Sequence, residues 1–132
     1  MALKLVSTGG GSATLDIGST AVNYTLSLPG AVTTLTDGAT ITPDFALNNV
    51  FTVTLGGNRA MANPSNPIDG QSGSIFIVQD ATGNRTLTWG ANWDWVSGSA
   101  PTLSSAANAV DRVDFIVRSS TSIQAVFTSN YS

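Results

Sequence analysis

Residues 73–89 read Gly-Ser-Ile-Phe-Ile-Val-Gln-Asp-Ala-Thr-Gly-Asn-Arg-Thr-Leu-Thr-Trp, and the fold turns on how this stretch is read. Ile75, Phe76, Ile77 and Val78 are consecutive and apolar. A strand made of them needs cover on both faces, as the central strand of a packed sheet has. Ala81, Thr82, Gly83 and Asn84 follow with turn chemistry, Gly and Asn tolerating positive φ. Thr86, Leu87, Thr88 and Trp89 then alternate, which predicts a hairpin whose second strand returns antiparallel to the first.

Working outward, the same two-residue period recurs. Downstream, Trp93 and Trp95 share one face of a short strand, residues 97–105 are loop-like, and residues 106–109 could hold a helical turn. Two closing strands follow at 109–118 and 122–128. The first directs Val113, Phe115 and Val117 inward, and the second Ile123, Ala125 and Phe127. Upstream, Phe51, Val53 and Leu55 alternate with threonines, and two prolines stiffen the loop Asn63-Pro64-Ser65-Asn66-Pro67-Ile68-Asp69-Gly70. Asp37-Gly38 predicts a second hairpin, between 33–36 and 39–42. Residues 1–30 read as short alternating strands hinged at Gly9-Gly10-Gly11 and stopped at Pro29-Gly30, an extended arm ordered only by neighbours. The expected fold is all-β, an antiparallel β-sandwich or jelly-roll over residues 31–132 preceded by that arm over 1–30. Gly57-Asn58-Arg59 recurs as Gly83-Asn84-Arg85, and residues 16–30 echo 44–57, which reads as shared strand grammar rather than as a repeat.

Composition narrows the chemistry. The 132 residues contain no cysteine and no histidine, which removes disulfides, thiolate chemistry, the commonest zinc ligands and every Ser-His or Cys-His nucleophile. Charged residues make up 10%, against about a quarter in an ordinary domain. The acids are all Asp, and Thr, Ser, Gly and Asn stand where Glu, Lys and Gln would be common, a strand-and-turn vocabulary. Such a surface suits burial against partner chains and equally a plain extracellular β-domain. A net charge of -3 with scattered arginines leaves no footprint for nucleic acid. No apolar run is long enough for a membrane-crossing helix, and residues 1–10 lack the pattern of a signal peptide, so a protein that is either cytoplasmic or assembled in the cytoplasm is expected.

Trp89, Trp93 and Trp95, with Asn92 and Asp94 between them, form the candidate site. Three indoles so close in sequence make either a stacking platform for sugar rings or an aromatic core or subunit interface, and burial is the commoner use of such residues. Asp111 and Asp114 have odd separation on a strand and point to opposite faces. Arg112, Asp114 and Arg118 share one face, which favours a solvated or intersubunit ion-pair face over acid/base catalysis. Asp69 with Asn63 and Asn66 offers too little carboxylate for a cation. Asn58-Arg59 and Asn84-Arg85 read as turn caps pairing with carbonyls. No phosphate loop, metal spacing or nucleophile motif is present, so no catalytic residue, metal or cofactor is expected and the protein reads as a non-enzyme.

From residue 35 onward the wording resembles a module of bacteriophage virion proteins, especially tail fibres and related appendages. It is carried by Thr36-Asp37-Gly38-Ala39-Thr40-Ile41, Asn49-Val50-Phe51-Thr52-Val53-Thr54-Leu55-Gly56-Gly57-Asn58-Arg59, Asp69-Gly70-Gln71-Ser72-Gly73, Gly83-Asn84-Arg85-Thr86-Leu87-Thr88-Trp89-Gly90 and Ala100-Pro101-Thr102-Leu103-Ser104. The resemblance implies a virion structural protein that forms a homo-oligomer, a trimer like its relatives. Only about thirty residues precede the module, which suits a small capsid decoration protein, a cement or head fibre docking on the major capsid protein or another virion protein. The alternative is a tail-fibre-like tip recognising host surface glycans through the tryptophans.

Overall fold

The structure is a computed structural model, and it describes residues 13–14, 25–26 and 31–131. The chain divides into two compact units, Met1–Ala31 and Val32–Ser132. In the first, β1 (Ala13–Thr14) pairs antiparallel with β2 (Thr25–Leu26). The rest of the expected arm, including its glycine hinge, lies outside the described residues.

The second unit is built from nine strands among its described residues: β3 (Thr33–Thr34), β4 (Thr40–Ile41), β5 (Val50–Leu55), β6 (Arg59–Met61), β7 (Ser72–Gln79), β8 (Leu87–Trp89), β9 (Trp93–Trp95), β10 (Val110–Ser119) and β11 (Ser122–Thr128). They form two sheets. One has six strands in the order β3-β5-β7-β10-β11-β9, the other three in the order β4-β6-β8. The all-β expectation holds, and β7 lies inside its sheet between β5 and β10, as the apolar run at 75–78 requires.

Both sheets are mixed or parallel where antiparallel pairing was expected. β3, β5 and β7 run parallel, as do β4, β6 and β8, while β10 is antiparallel to β7 and β11. From β3 to β8 successive strands alternate between the sheets, so the chain winds around the core in coils. Neither expected hairpin forms: Asp37-Gly38 and residues 80–86 are corners that carry the chain from one sheet to the other. The second corner is held locally, the Gly83 amide donating to Asp80 O at 3.2 Å. The Asp80 carboxylate accepts the Thr82 and Gly83 amides, and Gly83 and Asn84 both take positive φ. In the same way residues 106–109 close as a hydrogen-bonded turn, Ala109 N donating to Ala106 O at 3.1 Å, instead of a helix.

Inward positions alternate as the sequence predicts. Phe51, Val53 and Leu55 of β5, Ile75 and Ile77 of β7, and Val113, Phe115 and Val117 of β10 are buried, and they meet Ile41, Met61 and Leu87 from the smaller sheet. The cover expected on the second face of β7 is partial: Phe76 and Val78 are only half-buried.

Candidate functional site

The three tryptophans do come together. Gly90 turns the chain between β8 and β9, where a Cβ would lie 2.3 Å from Asn63 Oδ1, so only glycine fits beside that side chain. Asn63 Oδ1 in turn accepts the Asn92 amide at 2.9 Å, fixing the step that places Trp93 and Trp95 on the edge of the six-stranded sheet. Trp89 lies edge-on to both, with ring centroids 5.2 Å from Trp93 and 4.7 Å from Trp95. Trp93 also meets Phe45 and Phe115 edge-on, and those two phenylalanines stack at 4.4 Å. Edge-to-face packing of this kind adds about 0.5–1.5 kcal/mol per pair to area burial.

Trp93 is 4% exposed and its indole N–H donates to Ala62 O at 3.0 Å. Its ring is committed to the core, and Trp89 and Trp95 are half-buried around it. Their indole nitrogens are enclosed with no hydrogen-bond partner among the described residues. Asn92 is half-buried and Asp94 exposed, the Asp94 carboxylate accepting the Ser122 hydroxyl.

Beside this cluster, the outer face of β9, β10 and β11 carries a groove of about 530 Å³ lined by Asp94, Trp95, Val96, Asp114, Ile116, Gln124 and Val126, among others. Ile116, Gln124 and Val126 were not singled out in the sequence. The signal was there for Ile116, an apolar residue at an outward position between the inward Phe115 and Val117.

The carboxylates are divided by face as the strand period requires. Asp111 points inward, 1% exposed, and accepts the Ser104 amide (2.8 Å), the Ser104 hydroxyl (2.7 Å) and the Asn130 amide (2.9 Å). Asp114 points outward, taking the Ser74 hydroxyl at 2.6 Å and an ion pair from Arg112 at 2.9 Å. Arg112 also lies over the Tyr131 ring, 4.9 Å from its centroid. Arg59 and Arg85 bind carboxylates, not carbonyls: Arg59 forks onto Asp37 (2.8 and 2.7 Å) and Arg85 onto Asp80 (3.0 and 2.7 Å). Hydrogen bonds from these guanidinium groups hold the Asp37 and Asp80 carboxyls below their ordinary value of 3.8 and raise Arg59 above its own. The Asp69 group does not converge. Asn66 donates to Asp44 at 2.8 Å, Asn63 is taken by Asn92, and no cluster of acidic metal ligands occurs among the described residues.

A family model described as "Putative phage tail fibre C-terminal domain" matches residues 41–122, more than half of the chain. The chain belongs to this phage tail fibre C-terminal domain family. No match was found among curated proteins or solved structures. Within the tail fibre module the matched span runs from the end of β4 to the start of β11, so it contains the coiled strands β5 to β8, all three tryptophans and the Asp111–Asp114 pair. Membership makes the protein a phage structural protein and a component of the virion.

Proposed function

We propose that the protein is a non-enzymatic module of a virion appendage of the tail-fibre type, acting through self-assembly and surface contact. The family match over residues 41–122 carries this reading. Side-chain chemistry supports it: the charged groups described above hold corners, loops and tails, Asp111 tying residues 104 and 130 to β10 and Asp80 shaping the corner after β7. Capsid decoration uses the same physics of apolar burial and backbone pairing, and it differs in where the protein sits on the particle. Immunogold labelling of particles that contain the protein separates the two. Gold on tail appendages is the expected result, and gold distributed over the head would replace the fibre reading with the decorating one.

A further inference from the structure

We propose that residues 96–103 are a strap that lifts as a unit, baring the indole nitrogens of Trp89 and Trp95 while the rest of the fold stays closed. β8 is an edge strand of the three-stranded sheet and β9 of the six-stranded one. Side chains from the two edges meet, Trp89 lying edge-on to Trp93 and Trp95. The connection from β9 to β10 borders both. Ser99 and Pro101 line a hollow of about 240 Å³ together with Trp95 and Phe127, and Pro101 and Leu103 line another of about 280 Å³ together with Arg85 and Leu87. Pro101 is a wall common to the two, so its displacement joins them into one opening beside the tryptophans.

Little holds this strap between its ends. Residues 96–100 are exposed, and only Pro101 and Leu103 turn in, half-buried, Leu103 against the core. Among the described residues, 99–103 take part in no hydrogen bond. At one end Ser97 and Gly98 take φ 62 and 70 in succession, a left-handed turn that is strained for serine. At the other, Ser104 docks on Asp111 and the Ser105 carbonyl accepts the Asn84 amide at 2.8 Å. The strap is pinned at both ends and loose in the middle.

Closure is opposed at the tryptophans. Trp93 Nε1 donates to Ala62 O at 3.0 Å, whereas Trp89 Nε1 and Trp95 Nε1 are enclosed and have no partner among the described residues. An enclosed donor left unpaired is destabilising, and water satisfies it on exposure. Lifting the strap gives up the apolar contacts of Pro101 and Leu103, provides two hydrogen bonds to water and releases the strained Ser97 backbone. The balance places local opening well below global unfolding in free energy, among the segments of low stability from which functional loops are drawn. The tryptophan site is then a gated one, whether the protein sits on the tail or on the head.

Exchange of the indole protons, followed by NMR on the full chain, tests this. Trp89 and Trp95 should exchange at least about tenfold faster than Trp93, at a rate that low urea barely changes, because a local opening exposes little surface. Leu103→Ala, or Pro101→Ala where the first variant fails to fold, should speed the first two about tenfold more. Its effect on Trp93 should not exceed the loss of global stability measured by urea unfolding. Ile116→Ala, on the outer groove that Trp95 also lines, should leave all three rates within about twofold. Three indoles that exchange together would overturn the strap, since only global unfolding would then reach them. So would slow exchange at Trp89 and Trp95, which would mean that each N–H is satisfied on a neighbouring ring. Acceleration by Ile116→Ala equal to that by Leu103→Ala would overturn it as well, by routing water through the outer groove.

Discussion

Gln79 clasps the backbone of Arg85 with both ends of its amide. Its Oε1 accepts the Arg85 N–H at 2.8 Å and its Nε2 donates to the Arg85 carbonyl at 2.9 Å. The side chain is 1% exposed, at an inward position of β7 where the pattern of Ile75 and Ile77 would place another aliphatic. It substitutes for the ladder bonds that a hairpin would have made and holds the corner open, so that β8 joins the smaller sheet. Gln79→Leu keeps the volume and leaves two part-buried backbone groups of Arg85 without their partners. The expected loss of stability is about 2–4 kcal/mol, the lower part of the range for two groups that cost about 1–3 each when fully buried. Urea unfolding followed by tryptophan fluorescence measures it, and a loss below about 0.5 kcal/mol would mean that water or a shifted corner replaces the clasp.

Glycines in this chain differ in what they are for, and alanine substitution should sort them. At Gly73 a Cβ would sit 1.9 Å from Asn49 O, where β7 passes the start of β5, and the obstacle is backbone that cannot swing aside. Gly73→Ala should prevent folding or lower stability by more than about 3 kcal/mol, as overpacking with backbone displacement does. Gly70 has φ +85 and open space, so Gly70→Ala should cost about 1 kcal/mol from conformation alone. Thermal melts of the two variants side by side test the order, which would be wrong if Gly70→Ala were the more damaging.

The alternation of Phe51, Val53 and Leu55, and of Val113, Phe115 and Val117, is legible in the sequence because a two-residue period assigns a face without reference to neighbours. Direction was not legible. Asp37-Gly38 has the composition of a tight turn, and only the Arg59 fork and the pairing of β3 with β5 reveal it as a corner. Whether a strand returns beside its predecessor or crosses to another sheet depends on contacts about twenty residues away, and turn residues serve both. The tryptophan site was legible as a cluster, while the burial of Trp93 between Phe45 and Phe115 depends on distant elements. Residues of the outer groove were hidden because each of its walls comes from a different strand.

Asp111 is the inward carboxylate that ties three segments together, receiving residue 104 of the long loop and residue 130 of the tail. Asp111→Ala removes the acceptor that holds the Ser104 amide, the Ser104 hydroxyl and the Asn130 amide, and the expected loss is about 2 kcal/mol. Hydrogen exchange should show more. The amides of Ser104 and Asn130 should lose protection in Asp111→Ala beyond the global loss, whereas Asp114→Ala, on the outer face, should leave both protected. Equal protection in the two variants would mean that the loop and tail are held by other contacts.

Acid should destabilise the protein through the corners before it reaches the core. Hydrogen bonds from Arg59, Arg85 and Asn66 hold the carboxyls of Asp37, Asp80 and Asp44 below the ordinary 3.8 in the folded chain. Unfolding returns them to that ordinary value. The unfolded state then binds more protons as pH falls, so the contribution is complete above about pH 5 and is lost progressively through and below 3.8. The melting temperature should therefore be level from about pH 7 to 5 and decline below about 4. Asp37 and Asp80 keep 30% and 23% of their side-chain surface exposed, so screening makes each contribution modest and 1 M salt should reduce it. Asp80→Asn removes one of the three titrations and should make the acid decline shallower, at the expense of a lower melting temperature at neutral pH. A decline equally steep in Asp80→Asn would assign the acid sensitivity to other carboxylates.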